Sequence, residues 1–153
     1  MQFQKILIAV EDSNHSMEAA RAGIQLAQKV NAEIAVMCAI DIGVTITGPE
    51  MVPPPIEIIN LQRDEAHSVI EKVKALYSGA SPVTEFVPEG DPREEIIAVA
   101  EQWGAQVIIL GTHGRTGFTH LLMGSTAEYV VRHSKVPVLV VPLKKDEGIN
   151  SPG

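Results

Sequence analysis

Residues 107–126 read VIILGTHGRTGFTHLLMGST, and this stretch decides the fold. The apolar run Val107–Leu110 has the composition of a strand that is buried on both faces. It leads into the turn GTHGR at 111–115, and nine residues separate Gly114 from the Gly-Ser-Thr sequence at 124–126. Ser125, with Glu128 three residues later, is typical of a helix start. The spacing GxxGx9G[ST] therefore predicts a strand, a glycine turn and a helix.

The rest of the chain repeats the alternation of strand and helix. Four further apolar runs rich in β-branched residues predict strands at Ile6–Val10, Ile34–Ile40, Val83–Val87 and Val138–Val141. Their hydrophobicity is nearly continuous, which favours a parallel sheet covered on both faces. Together with Val107–Leu110 they indicate an α/β fold, a single doubly wound, Rossmann-like domain whose five-stranded parallel sheet carries helices on both faces.

Helix signals fill the intervals between these strands. The first helix follows Ser13 as N-cap and stops at Asn31. The second has an apolar face that runs from Ala66 to Tyr77, and it ends near Gly79. The third opens with the capping-box pattern Asp91-Pro92-x-Glu94 and closes at Gly104, and the fourth starts at Ser125 and ends before Pro137. The aperiodic stretch Asp41–Pro55 is predicted to be a long loop that covers a site.

Composition limits the possible functions. With 153 residues, 45% of them hydrophobic, we expect one domain at 1–143 followed by a polar tail at 144–153. The net charge of −7 disfavours nucleic acid as a partner, and no apolar run has the length of a membrane span. We expect a soluble, cytoplasmic protein, because the N-terminus lacks a secretory pattern. The single cysteine, Cys38, lies in an apolar run and is interpreted as a buried thiol.

The glycine turn and the following helix have the chemistry of a phosphate site. Glycines after a strand allow the backbone to approach a ligand with its N–H groups free. The helix that begins at Ser125 adds unpaired N–H donors and the positive end of its dipole. From these residues alone, two ordinary strand-to-helix turns are an equally good interpretation.

Beyond this local chemistry, nearly the whole chain resembles the universal stress protein family. The matching segments are KILIAVEDSNHS, EGDPREEI and VIILGTHGRTGFTHLLMGSTAEYVVRHSKVPVLVVP. The resemblance implies ATP as the bound cofactor, with phosphates held by the loop glycines and the Gly-Ser pair, and with base and ribose held by residues that end the first strand and one on the second. Carried onto this sequence, the expected site comprises Ala9, Val10, Glu11, Ala39, Leu110, Gly111, His113, Gly114, Arg115, Gly124, Ser125 and Thr126.

One position departs from the family pattern. The family commonly has aspartate followed by glycine and serine after the first strand, whereas this chain has Glu11, Asp12 and Ser13. Either carboxylate suits ribose hydroxyls or the water around a phosphate-bound Mg²⁺. His113 either fixes the loop or contacts phosphate, and Arg115 either pairs with phosphate or is solvated. The remaining histidines lack ligand spacing, so a dedicated zinc site is not expected.

The sequence favours a binding module over an enzyme. It contains neither a Walker GxxxxGK[ST] motif nor a GxSxG elbow. We expect an adenine-nucleotide-dependent signalling protein of the stress response that acts on an unidentified protein partner. The alternatives are a weak Mg-dependent ATPase, a binder of another adenine ligand such as a cyclic nucleotide, and a member that has lost nucleotide binding.

Assembly is the last expectation. The strand at 136–142 is predicted to lie at a sheet edge with no charge in its apolar centre, and family members commonly dimerise there. We therefore expect a homodimer through this strand. The alternative is a monomer whose tail covers the edge.

Overall fold

The computed structural model describes residues 3–11, 13–42, 55–112 and 123–142. The elements, in chain order, are β1 (Lys5–Ala9), α1 (Asn14–Val30), β2 (Glu33–Met37), α2 (Ile56–Lys74), β3 (Thr84–Phe86), α3 (Pro92–Trp103), β4 (Val107–Gly111), α4 (Ser125–His133) and β5 (Val138–Val141). The strands form one parallel sheet in the order β3-β2-β1-β4-β5. The predicted doubly wound α/β fold is confirmed. The predicted tail at 144–153 and most of the predicted loop at 41–55 lie outside the described residues.

Two apolar cores cover the two faces of the sheet. Helices α1 and α2 pack on one face, where they bury residues such as Ile24 and Ile70 against Ile6 and Ile8. Helices α3 and α4 pack on the other face, against Leu7 and its neighbours. Because successive strand residues point to opposite faces, the central strands must be apolar at every position. This requirement explains the continuous hydrophobic runs in the sequence.

Most helices begin and end at the capping residues that the sequence predicts. The Ser13 hydroxyl accepts a hydrogen bond from Ser16 N–H at 3.2 Å and caps α1, and Asn31 ends that helix in the left-handed conformation. Asp91 caps α3, with Pro92 in its first turn, and Gly104 closes it at φ 80°. The Asp91 carboxylate accepts from Arg93 N–H at 2.9 Å, one residue earlier than a capping box requires.

Two boundaries differ from the sequence prediction by more than one or two residues. Helix α2 ends at Lys74, so Leu76 lies beyond it and is 37% exposed instead of belonging to its apolar face. Strand β2 ends its regular pairing at Met37 because its neighbour β1 ends at Ala9. Residues up to Ile40 continue to pair on the β3 side alone.

Ion pairs fix α2 along the β3 side of the sheet. Lys74 Nζ lies 3.1 Å from Glu85 Oε2 on β3, and this hydrogen bond raises the pKa of Lys74. Near the other end of the helix, the Arg63 guanidinium contacts the Glu89 carboxylate. Within the described ranges, no helix is both long and apolar enough to cross a membrane.

Candidate functional site

A cavity of about 630 Å³ opens at the carboxyl ends of the strands. The chain leaves β1 toward β2 on one side, while β4 lies on the other side of β1. The strand order therefore reverses beside β1, and α/β sheets bind ligands at such a point. The sequence-predicted site residues that line the cavity are Ala9, Val10, Glu11, Ala39, Leu110, Gly111, Gly124, Ser125 and Thr126. His113, Gly114 and Arg115, and also Asp12, lie outside the described residues.

At one end of the cavity, the backbone hydrogen bonding between β1 and β2 stops. Val10 N–H donates to the Met37 carbonyl at 2.9 Å, and the parallel register would next place Ala39 N–H opposite the Val10 carbonyl. Within the described part of the chain, Ala39 makes no hydrogen bond there. In an extended strand the N–H and C=O of one residue point to the same side. Ala39 therefore presents one donor and one acceptor to the cavity, side by side.

The other end of the cavity is the N-terminus of α4. Gly124 precedes the helix, and its N–H donates to the Thr112 carbonyl at 2.6 Å, which holds the helix start against the end of β4. Among the described residues, the amides of Ser125, Thr126 and Ala127 have no hydrogen-bond partner, as expected for a first helical turn without a side-chain cap. All three residues line the cavity. Free N–H groups and the positive helix dipole make this end attractive to an anion.

Gly111 has a structural task that the sequence interpretation did not anticipate. A Cβ at this position would lie 2.9 Å from the His15 carbonyl oxygen and 3.1 Å from its carbon. The absence of a side chain thus permits the close approach of β4 and α1, in addition to leaving the cavity open. The neighbouring turn after β1 is also held by α1, because Glu11 N–H donates to the buried Ser16 hydroxyl at 2.9 Å.

Carboxylates dominate the charge of the cavity wall. Glu11, Asp41 and Glu65 line it, and the described lining residues include no lysine or arginine. An anionic group would therefore be held by the α4 amides instead of by a described cation. In the described ranges, no three His, Cys, Asp or Glu side chains are grouped so as to hold a metal ion by themselves. A divalent cation bound by the described residues would need further ligands, such as phosphate oxygens.

Sequence reasoning missed the contribution of α2. Gln62, Glu65, Ala66 and Val69 line the cavity and fall on one face of this helix. The apolar members of the face were predicted to be buried and are buried, but the polar ones could be found only by extending that face toward the N-terminus. Cys38, 5% exposed, is buried as predicted and also lies in the cavity wall.

Known proteins are similar to this chain over almost its whole length. The family model described as the universal stress protein family matches residues 2–142. A universal stress protein of Methanocaldococcus jannaschii is 34% identical over 95% of this chain and 85% of its own length. The solved structure of UspA from Lactobacillus plantarum superposes with a TM-score of 0.75 at 22% identity and covers 92% of this chain and 99% of its own.

A second similar structure was solved with a bound ligand. It is a universal stress protein in complex with cAMP, with a TM-score of 0.64 at 24% identity, and it covers 94% of this chain and 100% of its own. At these identities the structural likeness shows the fold alone.

Proposed function

Because the chain belongs to the universal stress protein family, we propose that it binds an adenine nucleotide, with ATP as the leading ligand, at the cavity beside β1. Occupancy of the cavity then alters contacts with a protein partner in the stress response. The observation that carries the proposal is the pairing of two features in one cavity. Free α4 amides suit phosphate at one end, and the unpaired Ala39 backbone suits a base edge at the other.

The Ala39 backbone matches the edge of adenine. Its N–H can donate to ring nitrogen N1, and its C=O can accept from the 6-amino group. Guanine has the opposite arrangement, with an N–H at position 1 and an acceptor at position 6, and would place donor against donor and acceptor against acceptor. A mismatch of this kind in a buried site costs about 1–3 kcal/mol for each unpaired group. The free N–H and C=O of Ala39 therefore favour adenine over guanine.

Among the described residues, phosphate binding at α4 depends on the backbone and not on side-chain charge. The amides of Ser125, Thr126 and Ala127 are directed by the helix itself, so they need no reorganisation when a phosphate arrives. Gly124 has no Cβ to obstruct the approach. The Glu11 carboxylate, which also lines the cavity, is a candidate for the ribose hydroxyls or for water around Mg²⁺ bound to the phosphates.

One observation favours a second ligand. The relative that was solved with cAMP shares this fold, so a cyclic nucleotide belongs in any binding panel. A slow ATPase activity is the remaining alternative from the sequence, and turnover measured with purified protein and Mg²⁺ separates it from binding alone.

The test is calorimetric titration with ATP, AMP and cAMP. Gly124→Val should abolish binding of whichever nucleotide the parent binds, because the valine side chain would stand beside the three free amides. Gly124 has φ −72°, a value that valine adopts without strain, so the variant is expected to fold. Ser125→Ala is the matched control. It keeps the backbone N–H and should lose less than about tenfold in affinity.

Two results would contradict the proposal. A parent protein that binds none of these nucleotides at millimolar concentration would remove the adenine nucleotide as ligand. A folded Gly124→Val protein with the affinity of the parent would remove the α4 amides from the site. Mass analysis of small molecules released from the purified, denatured parent identifies the ligand independently.

A further inference from the structure

The face of α2 in the cavity has an apolar inner part and a polar outer part. Ala66 and Val69 are 3% and 4% exposed, whereas Gln62 is half-buried and Glu65 is exposed. In the described part of the molecule, neither the Gln62 amide nor the Glu65 carboxylate makes a hydrogen bond or an ion pair. Both polar groups are therefore available to a ligand in the cavity that they line.

Arg63, the residue after Gln62, connects α2 to the sheet. The Arg63 guanidinium contacts the carboxylate of Glu89, and Glu89 forms a parallel bridge with Ile40. Ile40 N–H in turn donates to the Pro88 carbonyl at 2.8 Å. The turn of α2 that carries Gln62 is thereby tied to the strand segment that includes Ala39. Gln62 and Ala39 both line the cavity, so the side-chain amide and the free strand backbone can contact the same ligand.

The two side chains of α2 offer hydrogen-bonding groups that distinguish 6-amino from 6-oxo purines. An adenine 6-amino group has two hydrogens, and the Ala39 carbonyl uses one of them. The second hydrogen and ring nitrogen N7 form the pattern that a glutamine amide pairs with through two hydrogen bonds. An ionised carboxylate such as that of Glu65 only accepts hydrogen bonds. An oxygen at position 6 also accepts hydrogen bonds. It would therefore face the Ala39 carbonyl and the Glu65 carboxylate with no hydrogen to share.

We infer that Gln62 and Glu65 are specificity-determining residues that select a 6-amino purine over a 6-oxo purine. Gln62 pairs with the N6 and N7 atoms of the base, and Glu65 opposes an oxygen at position 6. The inference rests on the proposed function, because it names the part of the ligand that α2 recognises. It assigns to α2 a role separate from phosphate binding at α4.

The experiment compares ATP with inosine triphosphate, which differs only by the 6-oxo group and the associated proton at N1. The parent should bind ATP about tenfold or more tightly than inosine triphosphate. Gln62→Leu removes the amide at similar volume, and the ratio of the two affinities should fall about tenfold. Glu65→Gln supplies a donor for the 6-oxo group and should also lower the ratio. Asp64→Asn, the same charge change at an exposed neighbour outside the described lining, should keep the parent ratio.

The outcomes separate this inference from the proposal that it extends. If the parent binds neither nucleotide, both are wrong. If the parent binds both nucleotides equally, the selection by α2 and the pairing of the Ala39 backbone with the adenine edge are both wrong, while nucleotide binding at α4 stands. If Gln62→Leu and Glu65→Gln keep the parent ratio while binding ATP, only the selection by α2 is wrong. A lowered ratio in either folded variant, with Asp64→Asn unchanged, supports it. Glu65→Gln alters an exposed side chain, so the test stands even if Gln62→Leu does not fold.

Discussion

At the scale of single residues, small size and free backbone groups matter more than reactive side chains. Ala39 contributes its N–H and C=O, Gly124 contributes access to the α4 amides, and Gly111 permits the contact of β4 with α1. The sequence predicted these positions through glycine spacing and family resemblance. It did not distinguish a glycine that faces a ligand from one that faces another helix, because that distinction depends on which element packs behind the turn.

Gly111 allows a stability test of this distinction. A methyl group in Gly111→Ala would meet the His15 backbone at 2.9 Å, and backbone atoms cannot rotate away as side-chain atoms can. We expect the free energy of unfolding to fall by about 1–3 kcal/mol, as for overpacked sites. Urea denaturation measures it. Thr112→Ala in the same turn adds no atom and should stay within about 0.5 kcal/mol of the parent. An unchanged denaturation midpoint in Gly111→Ala would show that α1 yields at this contact.

At the scale of elements, the start of α3 joins a cap to an ion pair. The Asp91 carboxylate accepts from Arg93 N–H and also lies 2.8 Å from Arg93 Nη2. The hydrogen bond from the Arg93 side chain lowers the pKa of Asp91 below its ordinary value. Arg93 also lies over the Tyr129 ring of α4, at 5.4 Å from the ring centroid. This cluster connects the start of α3 with the middle of α4, and both helices contribute to the cavity wall.

The lowered pKa gives the cap a pH dependence of defined sign. Because the folded pKa lies below the unfolded value of about 3.9, the stabilisation is present above that pH and is lost as the pH falls toward the folded pKa. Asp91→Ala should reduce the free energy of unfolding by about 1 kcal/mol at pH 7, and its difference from the parent should narrow below about pH 4. Asp91→Asn keeps a capping oxygen without the charge and should lose less at pH 7. Denaturation at both pH values checks this, and an equal Asp91→Ala effect at pH 7 and pH 3 would contradict it.

Some properties of the elements could be predicted from the sequence, and others could not. Ser13, Asn31 and Gly104 were predicted as helix boundaries because capping depends on neighbouring residues along the chain. The end of β2 was misplaced because it depends on the length of β1, which lies beside it in the sheet. Extension of the apolar face of α2 toward its N-terminus reaches Gln62, but the sequence does not show that this residue borders the site, because that depends on the packing of α2 against α1 and β2.

At the scale of the whole molecule, β5 is an edge strand, as predicted from the sequence, and among the described strands it pairs only with β4. Val138 and Val140 pack against the α3/α4 core, whereas Leu139 is 40% exposed. An apolar edge strand with unpaired backbone groups is a surface for pairing with another strand. We propose that a second copy of the chain occupies this edge and forms a homodimer.

The exposed Leu139 is the position at which to test this assembly. Light scattering at micromolar concentration should give a mass near twice 16.5 kDa for the parent, and Leu139→Lys should reduce it to the monomer value. Leu139 is a better choice than Val140, because a lysine at Val140 would also disturb the core. Leu76→Lys is the matched control, since Leu76 is 37% exposed and follows α2, which packs against β2 on the side of the sheet remote from β5. A monomeric parent, or a Leu139→Lys protein that remains dimeric, would contradict pairing through β5.

The cavity takes its walls from both helical layers, with α1 and α2 on one side and α3 and α4 on the other. A molecule that fills it would touch two cores that lie on opposite faces of the sheet. Local opening of either layer would then release the molecule, so its binding free energy would add to the cost of each partial unfolding. Occupancy would therefore couple the opening of the two helical layers, and a rise in ligand concentration would make both layers more resistant to local unfolding.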